Sequence, residues 1–97
     1  MPGENLPHDE RRAEERVTAE GDVTLWLNGS ALAAVPGRLV DIAKSGFRAR
    51  HRSPTLSPGT IVEFELPGVH GRARVVWTRI QGERIESGFL IVGRDAR

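Results

Sequence analysis

Of the 97 residues, 13 are arginine and one is lysine, so guanidiniums are the most abundant side chains able to grip a ligand. A guanidinium is a rigid planar donor fork that fits phosphate oxygens and the O6/N7 edge of guanine. A GC-rich coding sequence would also enrich arginine, so composition alone does not decide. Position singles out Arg12 and Arg16, an RxxxR where a polar N-terminal segment meets the first apolar run. A loose arm carrying such a pair could close over an anion. The spacing by itself is uninformative, since about 1.7 such pairs arise by chance at this arginine frequency; Arg48 and Arg52 form a second. The competing reading is a solvated charged segment, with Arg11 and Glu15 paired at i,i+4.

The segment LVDIAKSGFRAR, residues 39–50, is the second constellation. Asp41 follows an apolar run and precedes Gly46 across a short turn, presenting a carboxylate, backbone N–H groups and a residue without Cβ together. A carboxylate accepts from guanine N1–H and N2–H, and a glycine admits a base or phosphate close to the backbone. Equally, Asp41 could simply start a turn in which Gly46 adopts positive φ.

Other chemistry is excluded more readily. With no cysteine there is no thiolate nucleophile, disulfide or Cys-based metal site. His8, His51 and His70 are scattered without triad or metal-ligand spacing and read as surface residues. Neither a phosphate loop nor a dinucleotide fingerprint is present. No enzymatic activity, metal or cofactor is expected.

These residues must be carried by short strands. Residues 1–16 contain Pro2, Pro7, Glu4, Asp9, Glu10, Glu14 and Glu15 and offer no apolar face, so they read as a flexible arm. Residues 17–97 read as one all-β domain. The expected strands are 17–28, 32–42, 46–52, 60–66, 72–80 and 84–92. Val62, Phe64 and Leu66 alternate with Glu63 and Glu65, and Ala73, Val75 and Trp77 repeat the pattern. Pro36–Gly37 predicts a bend, bulge or turn, and residues 81–83 a hairpin tip. Six strands in so short a chain imply a small closed barrel, because closure removes exposed edges. The longest uncharged stretch, Val23 to Gly37, is fifteen residues broken by Asn28, Gly29 and Pro36, too short to span a bilayer. With no apolar signal segment at the start, a cytoplasmic location without membrane insertion is expected.

RRAEER, residues 11–16, then 24 intervening residues and DIAKSG, residues 41–46, resembles the PilZ domain family, whose signature is RxxxR and then [D/N]x[S/A]xxG. LSPGTIVEFELPG and GRARVVWTRI…ESGFLIV extend the resemblance over most of the chain. It implies a six-stranded antiparallel barrel that binds the bacterial second messenger cyclic di-GMP. Arg12 and Arg16 match the arginine pair that approaches phosphates and guanine edges. Asp41, Ala43 and Gly46 match the motif that cradles a guanine. At the third place Ala43 stands where serine is commoner, removing a hydroxyl the ligand could use. Many family members end in a helix packed over the barrel, whereas only five residues follow Val92, so little or no C-terminal helix is expected.

The ligand is a dianion with two guanines, which requires cations, donors, an acceptor and stacking surfaces. Arg11 adds a third guanidinium that could hold a second ligand copy. Trp77 is open between an aromatic platform and core or barrel-surface packing; Trp26 is similarly open. The expected mechanism is ordering of the arm upon binding, read by an effector protein. Two alternatives stand beside it. One is a PilZ-like barrel that binds no ligand and serves as an interaction module in pilus or motility machinery. The other is a single-strand nucleic-acid barrel using Lys44, Arg48, Arg50 and Arg52; since only Phe47 interleaves those cations, a nucleic-acid polymer is not the expected partner.

Overall fold

The computed structural model describes residues 15–27 and 34–95. Seven strands run β1 (Val17–Thr18), β2 (Asp22–Leu27), β3 (Ala34–Ile42), β4 (Gly46–His51), β5 (Ile61–Leu66), β6 (Val69–Gln81) and β7 (Arg84–Arg94). All pairings are antiparallel, in the order β1-β3-β2-β5-β6-β7-β4, and β3 also pairs with β4. That last pairing closes β2 to β7 into a six-stranded barrel and leaves β1 as an extra strand.

The expected strand over residues 17–28 is therefore two. Both pieces lie along β3, but Gly21 (φ 141°) breaks the ladder between them. Ala19 N–H bonds the Val40 carbonyl at 3.1 Å and Leu39 N–H bonds the Gly21 carbonyl at 2.9 Å across the break. The residues that follow the arm are thus tied to β3. Residues 1–14 and 28–33, including Arg11 and Arg12, lie outside the described residues.

Alternation holds where both faces of a strand are simple. Val62, Phe64 and Leu66 are buried between exposed glutamates, and Ala73 and Val75 are fully buried. Phe47 stacks on its cross-strand partner Phe89 with centroids 4.7 Å apart, and tilts against Phe64 at 5.1 Å. Leu56, from the β4–β5 connection, plugs this core. Residues 82–83 form the β6–β7 tip, where Gly82 takes φ 62°.

Two expectations need correction. β3 runs straight through Pro36, which pairs with Thr24 on one side and precedes the start of β4 pairing at Gly37, a position where a missing N–H is tolerated. The bulge instead falls at Val40, between Leu39↔Ala49 and Asp41↔Arg48. His51, read as a surface residue, is buried, because it faces inward on β4. Its Nδ1 accepts from Ser53 N–H (3.0 Å), so Nε2 carries the proton and donates to Ser87 Oγ (2.7 Å). Ser87 Oγ then donates to Thr78 Oγ1 (2.6 Å), which donates to the Leu56 carbonyl (2.5 Å). Among the described residues no buried side-chain nitrogen or oxygen lacks a hydrogen-bond partner, which is what permits burial.

Candidate ligand-binding site

Strand register assembles the site. Thr18, Asp41, Arg48, Gly88 and Trp77 are successive partners across β1, β3, β4, β7 and β6, forming one transverse row. Two of its members point away from the core only because of bulges. The extra residue Val40 lets Leu39 and Ile42 pack into the core while Asp41 turns outward. Val76 does the same on β6, so Val75 and Thr78 face inward and Trp77 does not. Bulges re-aim single side chains in this way. Trp77 therefore departs from the shared face expected of Ala73, Val75 and Trp77.

Gly88 lies beneath the indole, where a Cβ would collide with its Nε1 and Cε2 atoms. The Arg79 guanidinium lies over the ring, 5.2 Å from its centroid. Trp77 is thus half-buried against the barrel surface.

Asp41 is nearly buried, at 5% exposure, and both carboxylate oxygens are engaged. Oδ1 accepts from Arg16 Nη2 at 3.0 Å. Oδ2 accepts from Arg48 Nε at 2.7 Å and also from Arg48 Nη2. Burial pushes the Asp41 carboxyl up, but hydrogen bonds and charge from Arg48 and Arg16 outweigh it and hold the group below the ordinary aspartate value. Arg48 is raised in turn, chiefly by its bond to Asp41. Glu86 Oε2 stands 3.8 Å from Arg48 Nη1 and 3.9 Å from Arg79 Nη2. The expected carboxylate at a turn is thus a strand residue held between two guanidiniums.

The turn itself is tight. Ala43 and Gly46 exchange backbone hydrogen bonds across Lys44 and Ser45, with Ala43 N–H to the Gly46 carbonyl at 2.8 Å. The turn is pinned to β7 by Ile91 N–H to the Ser45 carbonyl (2.8 Å) and Arg94 Nη2 to the Lys44 carbonyl (2.7 Å). Gly46 does not take positive φ. Its missing Cβ has a different cause, since a methyl there would strike the Phe89 carbonyl oxygen of the neighbouring strand. Ala43 is buried beside this contact.

A cavity of about 530 Å³ opens over the row, lined by Arg16, Gly46, Arg48, Val76, Trp77 and Leu90. That volume lies within the range of small-molecule sites. A larger depression of about 680 Å³ lies elsewhere, around Pro36, Arg38, Arg50 and Arg52. Its one carboxylate, Asp22, is highly exposed and paired with Arg38, whereas the buried Asp41 carboxylate is bonded by Arg16 and Arg48, both of which line the smaller cavity.

Of the residues singled out from sequence, Arg16, Asp41, Ala43, Gly46 and Trp77 come together on one side of the barrel; Arg11 and Arg12 lie outside the described residues. Arg48 was missed. It was visible only as half of a chance RxxxR and as one cation of the nucleic-acid alternative, although a tight 43–46 turn makes it the cross-strand partner of Asp41. Among the described residues no three His, Asp or Glu side chains cluster as metal ligands, and no helix is long and apolar enough to cross a membrane.

The fold is similar to that of the PilZ domain of YcgR from Escherichia coli, solved with c-di-GMP, at a TM-score of 0.65 and 17% sequence identity, covering 86% of this chain and 79% of that one. No curated protein sequence matches the chain. A model of the PilZ domain matches residues 10–95, which takes in the arginine pair, the turn motif and every strand. With barrel, register and sequence pattern agreeing over that span, the chain belongs to the PilZ domain family.

Proposed function

We propose that this protein is a receptor for cyclic di-GMP that does no catalysis and signals through a partner protein. The observation that carries the proposal is the contact between the two motif segments: Arg16 at the arm's end bonds Asp41 at 3.0 Å, beside a cavity walled by Trp77. Guanidiniums match a dianion's phosphates, a carboxylate held ionised matches the N–H donors of guanine, and an indole edge offers apolar contact for a base. The Escherichia coli neighbour was solved with the same compound, which supports the choice within this fold.

In this reading residues 1–16 act as the arm and residues 17–97 as the barrel. Arg12 and Arg16 take the phosphates and a guanine edge, Arg11 assists, and the Asp41–Gly46 turn cradles the base. Because β1 already pairs with β3, ordering on binding falls to the residues ahead of it. The changed surface is what an effector reads.

One observation favours the non-binding alternative: both Asp41 oxygens are satisfied internally, and Ala43 offers no hydroxyl. Calorimetric titration with cyclic di-GMP separates the two. Saturable binding that is lost in Arg12→Ala and Arg16→Ala supports the receptor; a flat trace for the wild type with a folded protein supports an interaction module.

A further inference from the structure

Asp41 is shared unequally by two arginines, and the inequality divides their labour. Arg48 projects from the middle of β4, whose backbone is paired on both sides, by β3 and by β7. It places two nitrogens on Oδ2, and its third stands 3.8 Å from Glu86. Arg16 precedes a two-residue strand, is 44% exposed and makes a single bond, to Oδ1. A donor held once from a short strand is the easier one for an incoming N–H to displace.

We propose that Arg48, which lies outside both motifs, is the positioning residue of the site: it clamps the Asp41 carboxylate in its outward pose while Arg16 yields Oδ1 to the ligand's guanine and turns to phosphate. The proposal rests on the receptor reading above and adds a residue to it.

The surroundings fit this division. The bulge at Val40 brings Asp41 out of the core but leaves it almost wholly covered, where an unpaired carboxyl would take up a proton under mildly acidic conditions. The charged groups facing it are Arg16 from the segment before β1, Arg48 from β4, Glu86 from β7 behind Arg48, and Arg79 from β6 behind Glu86, with exposed Lys44 in the adjoining turn. These alternate in sign from Arg16 to Arg79, and Arg79 ends on the face of Trp77. Glu86 thereby holds both the guanidinium that aims the acceptor and the one that lies on the indole. If Arg16 leaves, Arg48 still neutralises Asp41. If Arg48 is lost, one exposed arginine must do so alone.

The test is titration of wild type, Arg48→Gln and Arg48→Lys with cyclic di-GMP from pH 7.5 to pH 4.5, with affinities expressed relative to wild type at each pH. Arg48→Gln should bind about tenfold more weakly at pH 7.5 and lose about a further fivefold by pH 4.5, whereas Arg48→Lys should keep a flatter profile. A deficit in Arg48→Gln that is the same at every pH, or no deficit, overturns the proposal, since a purely structural role would not follow a carboxyl titration. Carbon NMR of the Asp41 carboxyl in the ligand-free proteins gives an independent readout. Its titration should move upward in Arg48→Gln, and an unchanged curve refutes the clamp even if the wild type fails to bind, an outcome that would itself sink only the receptor reading.

Discussion

Replacing Asp41 by asparagine preserves shape and removes charge, so it separates the residue's part in the fold from its part in binding. In the ligand-free protein the amide loses charge-assisted bonds from Arg16 and Arg48 and turns an N–H₂ toward one of them. Such bonds are worth about 1.5–3 kcal/mol each when shielded, but the side chains of Arg16 and Arg48 are 44% and 36% exposed and can take up water instead. A net destabilisation of about 1–2 kcal/mol follows, or a fall in Tm of about 5–15 °C for a domain of this size. Against guanine the loss is larger: Oδ1, given up by Arg16, accepts the guanine N–H groups, while an amide that keeps its oxygen on Arg48 opposes them with a donor. That costs about 2–3 kcal/mol, a weakening of about 30- to 150-fold. Thermal melts and calorimetry on the same preparations read both. The stability difference should also vanish in acid. Because the folded Asp41 titrates below its unfolded value of 3.8, its contribution is complete above about pH 4 and disappears as pH falls through the folded value. A variant that melts far below wild type yet binds equally well would show that Asp41 serves only the fold.

Gly46→Ala drives a methyl into the Phe89 carbonyl oxygen, backbone against backbone, so Tm should drop by more than 10 °C, on the order of 2–3 kcal/mol; an undisturbed melt would show that the β4–β7 ladder yields there at little cost. His51 is lowered by burial, so the unfolded chain binds a proton first as pH falls below about 6.5 and stability should decline at up to about 1.4 kcal/mol per pH unit. Urea midpoints for wild type and His51→Gln between pH 7.5 and pH 5 check this: the wild type should show the steeper loss, and parallel curves would refute it.

Much of the barrel was legible because alternation is a local property. Val62, Phe64 and Leu66 announce one buried face without reference to any other strand, and the turn residues divide the chain nearly where the strands end. What escaped is relational. A bulge exists only between two paired strands, so neither Val40 nor Val76 could be picked out from its own neighbours, and the outward aim of Asp41 and Trp77 was hidden with them. Gly46 carried the right motif for another reason, since its constraint comes from Phe89, far along the chain. The burial of His51 depends on hydroxyls of Ser87 and Thr78 and on Leu56, a loop residue that no strand pattern marks as core. Arg48 was overlooked because its significance lies in what stands opposite it.

The most direct test of the account is a map of backbone amide shifts as cyclic di-GMP is added to the ¹⁵N-labelled protein. The predicted result is saturable movement confined to the arm through Arg16, the Asp41–Gly46 turn, and Arg48, Trp77 and Gly88. Shifts clustered around Pro36, Arg38 and Arg52, or none at saturating ligand, would contradict it.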